Sequence, residues 1–209
     1  MERKWIDITQ PLTNTIASWP GDETFEFKLS CTKEQTGSVN IGHISTSVHT
    51  GTHVDAPYHF DEAGKKIDEI DINMYIGPAK LIDVTAYEII DMKVLEKYEL
   101  DGVKRLLLKT ENERNPKVFP ENFTVIDRDA GDYLRKKGIV LLGTDAPSVD
   151  PVDSKSLKGH HSLAENGIYI LENLLLNNLM PGDYELIALP LRIVGADGSP
   201  VRAVIRPLD

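Results

Sequence analysis

His49-Thr50-Gly51-Thr52-His53-Val54-Asp55-Ala56-Pro57-Tyr58-His59-Phe60 gathers three of the chain's six histidines and one carboxylate. His49, His53, Asp55 and His59 fall on odd positions. Thr50, Thr52, Val54 and Tyr58 lie between them and suit a packed face. Side chains two apart share a face in an extended chain, so one side carries imidazole, imidazole, carboxylate, imidazole. A helix is a poor reading, because Gly51 and Pro57 interrupt it and the Thr and Val residues crowd it.

Neutral imidazole and carboxylate suit a divalent ion such as zinc. A straight strand would hold His49 and Asp55 roughly 20 Å apart, too far for bonds of about 2 Å to one ion. The segment must therefore bend, and Gly51 is the residue that tolerates a bend. The reading is a kinked strand or loop folded around a metal. The plainer alternative is three satisfied histidines near a turn.

The same stretch, H-T-G-T-H-V-D-A-P-Y-H-F, resembles the signature of the metal-dependent cyclase family, whose best-known members are bacterial kynurenine formamidases. Further matches are Trp19-Pro20-Gly21-Asp22 near the N-terminus and Asp145-Ala146-Pro147-Ser148-Val149-Asp150-Pro151 after an apolar run. The resemblance spans nearly the whole chain. It implies one mixed α/β domain over residues 1–209, with a β-barrel-like centre of the swivelling β/β/α type, outer helices and a homodimer. Composition alone indicates only an α/β protein.

Working outward, 209 residues suit one domain, and 41% hydrophobic with 27% charged residues is ordinary for a globular protein. A net charge of −10 argues against nucleic acid and anionic membranes as partners. The lone Cys31 leaves no internal disulfide and fits a reducing cytoplasm. Neither a signal peptide nor an apolar run near the roughly 20 residues of a membrane span is visible.

Trp5–Thr9 and Phe25–Thr32 alternate as strands, and Gly37–Ser47 reads as the strand leading into the histidine segment. His43 shares the odd parity but lies outside the signature and is read as structural. Trp19, in a turn, either anchors the loop or walls a flat ligand; the resemblance implies that it lines the substrate pocket. The carboxylates of Ile67–Ile72 read as a solvated edge. Gly77-Pro78 reads as a break before a strand at Ala79–Val84. Tyr87–Tyr98 carries a helical stripe, Arg105–Thr110 and Ile139–Gly143 are buried-type strands, and Asp127–Lys137 is a helix stopped by Gly138. Asp145 is either a support for the site or turn chemistry. The chain ends in a hairpin, with strands at Tyr184–Leu191 and Val201–Arg206 around a turn at Ala196–Pro200.

A second histidine pair, His160-His161, precedes the run that ends at Glu172, where a carboxylate is costly unless paired or metal-bound. Either histidine could join Glu172. The family places the histidine twelve residues before the glutamate, which implies His160. His49, His53, Asp55, His160 and Glu172 exceed the three protein ligands usual at one catalytic zinc. Two ions sharing Asp55 resolve the excess, with zinc expected and manganese or another divalent ion also accommodated. His59 is left beside the site as a proton shuttle or as a residue that orients a ligand; the resemblance implies the proton donor and acceptor. The resemblance implies hydrolysis of N-formyl-L-kynurenine to L-kynurenine and formate in tryptophan degradation, by metal-activated water. The competing expectations are a sister hydrolase opening a cyclic amide, as isatin hydrolase does, and a metal-binding protein without catalysis.

Overall fold

The apolar runs foreseen at the centre of the chain form parallel strands buried on both faces. The computed structural model describes residues 4–208. In chain order its strands are β1 (Ile6–Asp7), β2 (Glu26–Cys31), β3 (Ile41–Ser45), β4 (His53–Asp55), β5 (Ile76–Asp83), β6 (Ile89–Ile90), β7 (Arg105–Lys109), β8 (Val125–Ile126), β9 (Leu141–Thr144), β10 (Tyr169–Glu172), β11 (Gly182–Ile187), β12 (Gly198–Pro200) and β13 (Val204–Pro207). The helices are α1 (Lys33–Thr36), α2 (Met92–Leu95), α3 (Arg128–Lys137) and α4 (Lys158–Glu165).

Nine strands make one mixed sheet in the order β1-β13-β11-β5-β7-β9-β10-β4-β12. The sheet curls into a half-barrel, so the fold is mixed α/β with few helices. β5, β7, β9 and β10 run parallel and carry almost unbroken apolar sequence, as strands covered on both sides must. Alternation splits them between two cores. Leu107, Leu141 and Leu171 face the hollow of the sheet with Val54, Leu81, Leu186 and Ile205. Leu106, Leu108, Leu142 and Ile170 face the other way, against Leu95, Ala130, Leu134 and Leu163 of the helices. Helix α3 matches its sequence signals: Asp127 caps it by accepting from the Asp129 amide, and it ends at Gly138.

Three expectations need correction. Gly77-Pro78 is not a break but part of β5; pairing with β7 begins only at Ala79, so proline's missing N–H is not needed on that side. The helical stripe at Tyr87–Tyr98 yields one turn, α2, because Ile89 and Ile90 are taken by β6, which pairs with β8. The C-terminal hairpin exists as β11 against β13, and its register continues past Ile187↔Val204 to a single bridge at Pro190↔Val201, but the segment beyond is not a simple turn. The expected turn residues instead supply β12, which pairs with β4 and carries Asp197 at its entrance.

Candidate metal centre

The kink falls where the sequence places it. Gly51 has φ +66, and a Cβ there would lie 2.8 Å from Leu12 Cδ2 and 3.1 Å from Ile16 Cδ1. His49 precedes this turn, and His53 and Asp55 follow it on one face of β4, with Val54 fully buried on the other. β4 lies between β10 and β12, with Glu172 directly opposite His53 and Gly198 opposite Asp55. The strict parity ends there. Residues Pro57–His59 form a 3-10 turn that brings His59 back over the site and leaves Tyr58 38% exposed rather than packed.

His160 sits in the first turn of α4. The Asp150 carboxylate accepts from the amides of Gly159 and His160, both at 2.9 Å, and from His160 Nδ1 at 2.7 Å. One side chain thus satisfies free helix N–H groups and fixes the imidazole. His53 Nδ1 donates to the Gly51 carbonyl at 2.8 Å. In both rings Nε2 is left to face the carboxylates. His53 Nε2 is 3.4 Å from Asp55 Oδ1 and 3.4 Å from Glu172 Oε2. His160 Nε2 is 3.5 Å from Asp55 Oδ2 and 3.9 Å from Glu172 Oε1. His49 points Nδ1 at Asp55 Oδ1, 3.0 Å away, and Nε2 at Asp197 Oδ2, 2.9 Å away.

These five side chains fit a cation. Asp55 Oδ2 is buried with no hydrogen-bond partner. The 3.4–3.5 Å separations are long for hydrogen bonds. They match the roughly 3.4 Å expected between two ligands held about 2.1 Å from one tetrahedral ion. Among the described residues, His49, His53 and Asp55 form one cluster of ligand atoms within 4.8 Å of one another, and Asp55, His160 and Glu172 form a second. Asp55 belongs to both.

The electrostatics demand positive charge here. Burial opposes charge on the imidazoles, yet the carboxylates outweigh it. Asp197 and Asp55 push His49 up to about 9, Asp55 and Glu172 push His53 up to about 10, and Asp150 and Asp55 push His160 up to about 10. Burial would raise Asp55, but the neighbouring imidazoles of His160, His49 and His53 hold it well below the usual carboxylate range. His59 goes the other way. Burial, reinforced by the neighbouring His49 and His160, holds it below the ordinary imidazole value against the attraction of Asp55 and Asp197.

A third cluster joins His49, His59 and Asp197, with His59 Nδ1 3.3 Å from Asp197 Oδ2. Sequence reading missed Asp197, since Ala-Asp-Gly-Ser-Pro reads as a hairpin turn. It also gave Asp150 no role and left Phe119 unread. Trp19 lies edge-on to Phe119, with ring centroids 5.3 Å apart, and both line a cavity of about 510 Å³ that His49, His53, His59, His160 and Glu172 also line. His161 packs its ring on Phe60 outside the three clusters. His43 lies exposed on β3. Asp145 touches none of the ligands. It accepts from the Thr110 amide and hydroxyl and the Glu111 amide, and burial pushes it up to about 6 against those bonds.

Known proteins agree with this picture. Residues 6–151 match the model of the cyclase family, described as "Putative cyclase". A kynurenine formamidase of Bacillus cytotoxicus is 55% identical over 98% of both chains. A solved structure described as "The Structure Of Potential Metal-Dependent Hydrolase With Cyclase Activity" superposes with a TM-score of 0.85 at 29% identity, covering 99% of both chains. Isatin hydrolase A from Labrenzia aggregata has the same fold, with a TM-score of 0.85 at 22% identity over 99% of this chain and 94% of its own. With this fold, this ligand signature and these matches, the chain belongs to the cyclase family.

Proposed function

We propose that this chain is a metal-dependent arylformamidase that hydrolyses N-formyl-L-kynurenine to L-kynurenine and formate in tryptophan degradation. The observation that carries this reading is the 55% identity, over 98% of the chain, to a relative named kynurenine formamidase. The site supports it chemically. His49, His53 and Asp55 would hold one zinc ion and Asp55, His160 and Glu172 a second, and the same donors accept manganese. When bound, such ions polarise a carbonyl and lower the pKa of water to about 7.

The chain's own residues do the rest. Asp197 accepts only, so the proton of His59 lies on Nδ1 and Nε2 keeps its lone pair. His59 takes a proton from the attacking water and returns it to the anilide nitrogen as the C–N bond breaks. Trp19 and Phe119 flank the aromatic ring and keep water from that side. Among the described residues no helix is long and apolar enough to cross a membrane, and the free Cys31 accords with a reducing cytoplasm.

The test is optical assay of N-formyl-L-kynurenine hydrolysis before and after chelation, with zinc added back. Activity is expected to disappear and return. Inactivity of the fully metal-loaded protein would overturn the reaction named, and activity surviving complete metal removal would overturn the role of the ions.

The protein acts as a homodimer in this reading. The β2–β3 ribbon supports it: Phe27 pairs with Ile44 across the strands, and both lie exposed on one face with Leu29. Sedimentation should give a dimer for the wild type and a monomer for Phe27→Asp/Ile44→Asp. A monomeric wild type sinks the idea.

A further inference from the structure

One fixed cation in the cavity has no part in the reaction described so far. Arg114, in the loop between β7 and β8, lines the same cavity as His59, Trp19 and Phe119. Its side chain is only 5% exposed. Nη1 donates to Glu111 Oε1 at 3.2 Å, and Nη2 donates to Asn173 Oδ1 at 3.0 Å. Nε is buried with no hydrogen-bond partner. A guanidinium carries five N–H donors, so most of this one's capacity is unused among the described residues. Its charge is already paired with the Glu111 carboxylate, but leaving a buried guanidinium's donors unused is costly, which suits a group that takes a second anion.

The position of this guanidinium is set by the metal centre itself. Asn173 directly follows Glu172 and has the left-handed φ of +58. Its carbonyl accepts from Thr52 Oγ1 at 2.6 Å, and its Oδ1 also accepts from Gln10 Nε2 at 3.3 Å. The backbone that turns Glu172 towards His53 and His160 therefore also turns Asn173 Oδ1 towards Arg114. On the other side, Asp145 pins Thr110 and Glu111, where the loop begins. The cation is thus anchored in the cavity that the ligand clusters line, with the Trp19–Phe119 pair in the same cavity.

We propose that Arg114 binds the carboxylate at the far end of the substrate's keto side chain and makes the enzyme selective for acidic formanilides. This rests on the formamidase reading and adds the residue that recognises the part of the substrate remote from the formamide. Arginine is the suitable side chain, since its planar fork matches a carboxylate. Among the described residues Lys155 also lines the cavity, but it is exposed, whereas the Arg114 side chain is buried and anchored.

The experiment compares kcat/KM of the metal-loaded enzyme for N-formyl-L-kynurenine and for 2-formamidoacetophenone, which keeps the ring, ketone and formamide but lacks the amino-acid end. The wild type should prefer the acid. Arg114→Gln should cut that preference by about 10- to 100-fold, chiefly through KM, and Arg114→Lys should recover part of it. Equal loss on both substrates would make Arg114 a brace for its loop and overturn the assignment, as would an unmoved ratio. A ratio that moves with Lys155→Met instead would overturn it too. Should Arg114→Gln not fold, the wild type still decides: 3-benzoylpropionate should compete with substrate and its methyl ester should not, and equal inhibition by both overturns the proposal. A wild type that hydrolyses neither formanilide overturns the formamidase reading itself, whereas an active wild type with an unmoved ratio overturns the assignment of Arg114 alone.

Discussion

Asp55→Asn is expected to empty both ion sites and reduce turnover by on the order of a thousandfold or more, the scale of the several kcal/mol that metal ions contribute to charge stabilisation. The replacement keeps size and removes charge. Asp55 is the side chain common to both ligand clusters, and its two oxygens face different histidines, Oδ1 towards His49 and His53, Oδ2 towards His160. An amide offers one oxygen and one NH2, so one of those directions would present donor hydrogens to an imidazole that must itself give a lone pair. Metal content by mass spectrometry and N-formyl-L-kynurenine turnover measure the two effects. A variant that retains two ions per chain would remove Asp55 from its place at the centre of the site. Replacing His53 or Glu172 disturbs fewer clusters and should cost less metal than Asp55→Asn.

His59→Ala should lower kcat by about 10²- to 10⁴-fold, the span of general acid–base catalysis, with metal content close to wild type. The separation of the two readouts is the point. His59 stands outside both ligand clusters that contain Asp55, its side chain is 35% exposed, and its ring stacks on His49 at 3.9 Å between centroids. Burial and the two neighbouring histidines keep it neutral near pH 7, the state a base needs. Protonation inactivates it, so the acid limb of kcat/KM should lie below pH ~6.5, the ordinary imidazole value. Asp197→Asn should follow in milder form, about 10- to 100-fold, because Asp197 orients the His59 tautomer and supports His49 without touching substrate. Unchanged turnover in His59→Ala with full metal would return His59 to a role in orientation alone.

How much of this could be read from the chain depends on the range of the interactions involved. Helix α3 was legible to within one residue, Asp127 proving to be its cap rather than its first turn, because the cap and the terminal Gly138 act locally. The parallel strands were legible because strands covered on both faces leave unbroken apolar runs. The kink at Gly51 followed from the span of a metal–ligand bond. What stayed hidden was set by partners distant in sequence. The Ala196–Pro200 segment has turn composition, yet it is drawn into a strand by pairing with β4, more than a hundred residues earlier. That pairing is what carries Asp197 to His49 and His59. Gly198 shows the same dependence: a Cβ there would meet His49 Cε1 at 2.8 Å, a contact no local rule anticipates. Asp150 looks like loop chemistry until α4 is seen to begin on it. The Tyr87–Tyr98 stripe misled because β6 found a partner in β8 that periodicity cannot reveal.

The placement of β4 bears on how the protein would part with its ions. Three residues long, β4 would fray readily at a sheet margin, but it is laced to β10 on one side and to β12 on the other. His53 and Glu172 are opposite members of one rung, so their backbones cannot part without breaking the ladder that joins them. Moving these two backbones apart requires the sheet to open on both sides of β4. Bound ions would in turn hold these strands together, so amide hydrogens at 53–55 and 170–172 should exchange with solvent more slowly in the metal-loaded protein than after chelation.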